Sequence, residues 1–475
     1  MVIIMSFFME KTKITKRLNQ DISADVCVIG GGMTGLLIAY KLRCSGAKVV
    51  VIEKDRLFCG ESSRTTAKIT TIHGMKYADL IKNSGFEITK KYYLAALDGM
   101  NYLVDTISEL GCDCDLEKIP FVLYSKKSSE KLLSEYAALS RLNVICSLTK
   151  KVNLPFKVEN AINVENAYIF NPVAFMNTLA NELDIYTETK AVKVAGERVI
   201  CETGNVSANH IIVATHYPFI NSLGLYFAKM YQEKSYAAVF ENVPEFNKMY
   251  YCTENNGYAF RPFGDKIIVS GNSHRTGKIY GQDKLASLIA DVKSYYPNAR
   301  LVDSWSAQDC MPPDNIPFIG RYSKFSNSLY VATGFGKWGM TSSATAALVI
   351  DGIISKHKRP YTNIFSPFRK THSQGRRQIV NQTKLSAKEL IQSISYIPVK
   401  EVRDIPRNSA EIVRIEGKKM GVYRDVNGDL HYSRAVCGHL GCPLTFNSST
   451  KSWDCACHGS SYDIDGNIIS NPCQK

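Results

Sequence analysis

The 475-residue chain has no apolar run long enough to cross a bilayer, so no transmembrane anchor is expected. Its first residues, Met1 to Met9, are apolar, but no basic region precedes them and no small-residue cleavage site follows, which makes a poor signal peptide. Followed by the basic stretch from Lys11 to Arg17, they read as an interfacial segment or as an upstream start before Met5 or Met9, and they are set apart from the fold. No unit of roughly 20–50 residues recurs, so a repeat architecture is excluded. Nucleic-acid motifs with interleaved aromatics are missing too, and the densest basic patch, Arg369-Lys370 to Arg376-Arg377, stands without one. The net charge of +14 therefore reads as a solvated basic face, with an acidic electron-carrier protein as the more specific partner and nucleic acid excluded.

What is present is ordinary for a globular chain, 45% hydrophobic and 21% charged, and long enough for about three domains. Of the fourteen cysteines, Cys437, Cys442, Cys455, Cys457 and Cys473 cluster near the C-terminus, and nine are scattered from Cys27 to Cys310. Scattered thiols suit a reducing compartment, so a cytoplasmic location is expected.

Asp25-Val26-Cys27-Val28-Ile29 reads as a buried parallel strand, then come Gly30-Gly31-Gly32-Met33-Thr34-Gly35, a helix to about Cys44, and a second strand from Lys48 to Ile52 ending in Glu53. This is a complete βαβ unit. Gly30 allows the tight turn, Gly32 lets a pyrophosphate approach the backbone, Gly35 lets helix and strand pack closely, and Glu53 can accept the ribose hydroxyls. The bland alternative is a tight βα turn with a solvated glutamate. A small polar loop, Gly60 to Thr70, follows the second strand; its Ser62, Thr65 and Thr66 suit the pyrophosphate and ring of a flavin. Downstream, Ile211-Ile212-Val213-Ala214-Thr215-His216 is a strand ending near the nucleotide. Leu329 to Met340 is a strand entering a glycine-rich helix start, where N–H groups at Gly334, Gly336 and Gly339 can face the flavin.

Together these features resemble the D-amino-acid oxidase/glycine oxidase superfamily of FAD-dependent oxidoreductases, over about residues 23–355. Thr65-Thr66-Ala67-Lys68 and Trp305-Ser306-Ala307-Gln308-Asp309 are similar to a bacterial subgroup that carries a C-terminal iron–sulfur domain. His216 departs from the pattern, since related flavoproteins often have glycine after Ala-Thr. The resemblance implies an α/β FAD-binding domain, Rossmann-like and of the glutathione-reductase type, with an α+β substrate domain inserted into it. The FAD-binding domain would comprise 23–78, 162–233 and 297–355, and the substrate domain 79–161 and 234–296, with a hairpin-like Phe121 to Tyr124. Asn171-Pro172 to Asn181 reads as a helix returning to the first. A basic, polar stretch punctuated by prolines, 356–396, reads as a linker to a final module, 397–475.

That module holds Cys437-Gly438-His439 and Cys455-Ala456-Cys457-His458, two tight loops each presenting one thiolate and one imidazole. An S2N2 set fits tetrahedral zinc or a [2Fe–2S] cluster in which two histidines replace two cysteines on one iron. The stretch resembles the all-β Rieske domain of the disulfide-bearing type found in cytochrome bc complexes. The resemblance implies that Cys437, His439, Cys455 and His458 hold the cluster and that Cys442 and Cys457 form a disulfide. It also implies that Ser460 and Tyr462 donate hydrogen bonds to a cluster sulfur and a ligand sulfur. Related domains continue past a proline loop, whereas this chain ends soon after Asn471-Pro472, so a cluster site with less cover is expected.

The expected function follows from both resemblances. FAD would oxidise a small amine or amino acid, and electrons would leave singly through the Rieske cluster to an external acceptor. A redox sensor or adaptor without turnover, or a ferredoxin-fed flavin reductase, are the alternatives. His73 and Arg261 are candidates for the substrate pocket, each weighed against a packed histidine and a structural ion pair. Tyr330, Phe335 and Trp338 fit a core better than a cofactor box, and Cys310 lies where some amine-oxidising relatives link the flavin covalently.

Overall fold

The computed structural model describes residues 15–127, 129–220, 224–255, 257–278, 283–395, 401–438 and 441–470. Val26 to Ile29 and Val49 to Ile52 are buried without interruption, as strands covered on both faces must be. They form β1 (Ile22–Ile29) and β2 (Val49–Ile52), which pair in parallel and are joined by α1 (Met33–Cys44). The parallel sheet continues on one side to Asp184–Tyr186, and on the other to Asn205–Val213 and Leu329–Thr333. The segments that build it are thus far apart in the chain. The helix Gly339–Ile354 is buried on nearly every face and packs beside α1, as an all-round apolar helix requires.

The second large sheet has eight strands, mostly antiparallel, running in space from Arg300–Met311 through Tyr231–Glu241 and Lys266–Arg275 to Phe121–Ser125, Asn160–Val164 and Cys146–Thr149. Phe121–Ser125 is not half of a local hairpin; its partners are Asn160–Val164 and, in parallel, Met249–Cys252. Arg300–Met311 joins this sheet along the whole length of Tyr231–Glu241 and ends beside the parallel sheet. It carries residues 307–310 to the junction of the two sheets.

The segment read as a linker contains a helix, Ser373–Ser395. From Arg376 to Ile397 the sequence has neither glycine nor proline, so nothing in the backbone opposes helix there. The last module is all β: three antiparallel strands over Ser409–Arg434 and four shorter ones over Leu444–Ser470.

Candidate functional site

A cavity of about 810 Å³ lies between the two sheets. Of the twelve residues expected at a flavin, Gly30, Gly32, Glu53, Ser62, Thr65, Thr66, Ala214, Thr215, Gly334, Gly336 and Gly339 line it. Gly35 does not, because its place is behind the turn: a Cβ there would sit 1.9 Å from the Gly30 carbonyl oxygen. A Cβ on Gly30, where φ is +113°, would meet the Ala214 carbonyl oxygen at 2.5 Å, and one on Gly32 would meet Ser62 Oγ at 3.0 Å. Side chains are thus kept off the mouth of α1, whose first N–H groups point at the cavity. Ser62 Oγ accepts from the Met33 N–H at 3.0 Å, and Glu53 accepts from the Gly31 N–H at 2.7 Å. Burial raises the Glu53 carboxyl, while the N–H groups of Asp55 and Gly31 oppose the shift.

His216 accounts for its own oddity. It adopts φ 64°, the left-handed region that favours glycine, and its buried Nε2 has no hydrogen-bond partner within the protein. A glycine-lined helix mouth, a carboxylate at the end of β2 and an unsatisfied ring nitrogen on the same cavity fit a dinucleotide with an attached polar ring.

Four of the charged groups on the cavity wall, Lys337, Glu233, Asp309 and Glu61, were not assigned to a site by the sequence. Lys337 Nζ pairs with Glu233 at 2.8 Å. Asp309 sits opposite Glu233 across the paired strands, and Glu61 accepts from the Gln308 N–H at 2.9 Å. Desolvation pushes the Asp309 carboxyl up to about 7 despite the nearby Lys337. Burial alone would lower Lys337, but Glu233, Tyr251 and Asp309 outweigh it and raise the ammonium above its ordinary value.

The two expected pocket residues, His73 and Arg261, do not line the cavity. His73 is buried with Nδ1 at 2.6 Å from the Tyr92 hydroxyl and Nε2 at 3.0 Å from the Thr70 carbonyl, and its ring stacks behind Trp338. Both nitrogens are engaged, and His73 does not line the cavity. Arg261 is likewise buried outside it, donating to the Phe170 carbonyl at 2.8 Å. Phe335 and Trp338, read as core, reach the cavity wall, whereas Tyr330 does not. Cys310 lines the cavity, its Sγ 3.5 Å from the His216 carbonyl.

In the C-terminal module, Cys437, Cys455 and His458 are buried, at 3%, 0% and 4% exposure. His439 lies outside the described residues. The neighbouring Cys437 thiol and burial together raise the Cys455 thiol well above its ordinary range. A cation would reverse that, since metal ligation draws the proton off a thiol. Cys442 and Cys457 are joined in a disulfide across the two loops. The Tyr462 hydroxyl is 3.6 Å from Cys437 Sγ and accepts from the Gly438 N–H at 3.1 Å. Ser460 is fully buried, and its carbonyl accepts from the Cys455 N–H. Two thiols, an imidazole and a nearby hydroxyl in a disulfide-clamped pocket are a donor set suited to an iron–sulfur cluster. The expected lack of cover is not observed among the described residues: Tyr217 and Phe227 lie edge-on to the His458 ring at 6.4 and 6.0 Å, and the second sheet approaches the loop through Gln232, whose Nε2 donates to the His458 carbonyl.

Comparison with known proteins agrees with both halves. Residues 25–351 match the FAD dependent oxidoreductase family, and residues 395–475 match the Rieske [2Fe-2S] domain. The Rieske 2Fe-2S iron-sulfur protein YhfW of Bacillus subtilis strain 168 is 33% identical over 483 residues, spanning 96% of this chain and 93% of that protein. Gamma-glutamylputrescine oxidoreductase of Escherichia coli K12 is 32% identical over 98 residues, 21% of this chain and 23% of its own. Among solved structures, L-amino acid deaminase from Proteus vulgaris superposes with TM-score 0.61 at 18% identity, over 77% of this chain and 98% of that one. L-proline dehydrogenase from P. horikoshii gives 0.62 at 17%, over 75% and 98%. At such identities these two show the fold alone. The two matched domains bind FAD and a [2Fe–2S] cluster. No helix among the described residues is long and apolar enough to cross a membrane.

Proposed function

Because the chain belongs to the FAD-dependent oxidoreductase family and carries a Rieske [2Fe–2S] domain, we propose that it oxidises a C–N bond in a small amine or amino acid and delivers the electrons singly to an external acceptor. When bound, the flavin supplies two-electron hydride chemistry and the cluster one-electron transfer. Gly30, Gly32 and the first turn of α1 receive the pyrophosphate on backbone N–H groups, Glu53 takes the ribose, and Ser62, Thr65, Thr66, Ala214, Thr215, Gly334, Gly336 and Gly339 line the remainder. Cys437, His439, Cys455 and His458 hold the cluster, and Tyr462 and Ser460 tune it through hydrogen bonds.

The observation that carries the reading is the charge of the cavity wall. Lys337 stands beside Glu233 and Asp309, and Arg64 lies 3.8 Å from Glu61, so the wall offers opposite charge to both the ammonium and the carboxylate of an amino acid. The solved neighbours, named for amino-acid deamination and proline dehydrogenation, support the same substrate class. An acidic carrier protein is the acceptor that the net charge of +14 favours. A single disulfide among the described cysteines favours a reducing, cytoplasmic setting.

Anaerobic mixing of the holoprotein with a panel of amines and amino acids tests the reading. Flavin bleaching followed by appearance of the reduced-cluster EPR signal is expected. Reduction by a carrier protein, with no bleaching by any amine, would favour the reductase instead.

A further inference from the structure

The cavity and the cluster loop are separated by one layer of side chains. Gln232 and Gln308 both line the cavity, and both reach through its wall to the backbone of the cluster loop. Gln232 Nε2 donates to the His458 carbonyl at 2.9 Å, and Gln308 Nε2 donates to the Gly459 carbonyl at 3.2 Å. Beside them Lys234 Nζ pairs with Asp454 Oδ2 at 2.5 Å, with the two side chains only 4% and 1% exposed. Asp454 immediately precedes Cys455, and its other oxygen accepts from Ser452 at 3.0 Å and Ser461 at 2.5 Å. Asn447 Nδ2 extends the network, donating to Asp454 at 3.2 Å and to the Tyr236 hydroxyl at 3.0 Å. Arg275 adds a bond to the Ala456 carbonyl at 3.2 Å.

The fit around these bonds is close. Gly277, at φ +75°, has no room for a Cβ, which would lie 2.2 Å from the Ala456 nitrogen, and a Cβ on Gly459 would lie 2.8 Å from Gln232 Cδ. A buried ion pair across a junction opposes separation, because parting it exposes or strands two charges.

We propose that Lys234, Gln232 and Gln308 form a latch that keeps the cluster loop permanently seated on the flavin cavity. The cluster module is then a fixed wall of the enzyme rather than a swinging head, and these three are positioning residues for electron transfer within the chain. The proposal rests on the reading that electrons pass between flavin and cluster. The transfer balances as one electron lost by the reduced flavin and one gained by the oxidised cluster; the second leaves the flavin after the external acceptor has reoxidised the cluster.

The test uses full-length holoprotein and two variants, K234M, with K234R as its conservative control, and Q232L/Q308L. Laser-flash reduction of the flavin by a deazaflavin donor, with no amine present, reads the transfer even if the substrate class assigned above is wrong. Hydrogen exchange at the amides of 454–461 reads the seating independently of turnover. Both variants should slow arrival of the electron at the cluster at least tenfold and accelerate exchange at 454–461, while the cluster keeps its EPR signature; K234R should stay near wild type. If K234M fails to hold its cluster, Q232L/Q308L, which strands no charge, decides alone. Wild-type transfer rates in Q232L/Q308L, or wild-type exchange at 454–461, would overturn the latch.

Discussion

Asp309 is a carboxylate whose setting disfavours its charge, and that has a measurable consequence. Its folded value near 7 lies above the ordinary value of 3.8, because desolvation outweighs the attraction of Lys337. Between those limits the folded protein holds a proton that the unfolded chain has lost, so this residue's contribution to stability declines as pH rises toward 7. With partial solvent screening allowed for, the decline amounts to about 2 kcal/mol. Replacing Asp309 by Asn removes the titration. In flavin-stripped protein, the melting temperature of D309N relative to wild type should therefore climb between pH 5 and pH 8; a constant difference would show that Asp309 ionises at its ordinary value. The sequence places this residue in the stretch 305–309 but could not show its surroundings. Its environment is set by the pairing of Tyr231–Glu241 with Arg300–Met311 and by Lys337 on a third segment, all distant in the chain. Glu53, by contrast, was legible because β1, the glycine turn and β2 fix its place within about thirty residues.

At the scale of the element, the βαβ unit depends on one close approach. A Cβ on Gly35 would stand 1.9 Å from the Gly30 carbonyl and 3.3 Å from Val28 Cγ1, both rigid neighbours. Substituting Ala forces α1 away from β1 and should cost about 3 kcal/mol, the upper range for overpacking. The variant should also lose flavin, since the N–H groups at the mouth of α1 shift with the helix. Equilibrium unfolding and flavin content at saturating FAD measure both, and a G35A protein with wild-type values of each would remove Gly35 from the packing role. Local patterns of this kind were readable from spacing alone. The helix Ser373–Ser395 was not, because its polar, basic composition resembles a linker and only the absence of glycine and proline hints otherwise. Phe121 to Tyr124 does form a strand, but not the expected hairpin, because its parallel partner Met249–Cys252 lies more than a hundred residues away, beyond the reach of any local turn signal.

Across the whole molecule, the cluster site borrows its cover. The ligand spacing in the last module was plain in the sequence, but what packs over the cluster loop belongs to a different part of the chain. Tyr217, Phe227, Gln232 and Gln308 close over His458 and Gly459, and of these only Gln308 falls in a stretch the sequence analysis named. The burial of His458 at 4% exposure is therefore a property of the assembled protein rather than of the module. Expressed alone from Val402 onward, the module should present its cluster loop to water, with Asp454 freed of Lys234. Its [2Fe–2S] absorbance should decay in air several-fold faster than in the full-length protein, and iron chelators should strip it at correspondingly lower concentration. Equal lifetimes in the two would mean that the module's own strands protect the cluster, and that the flavin-side surface over His458 contributes contact without cover.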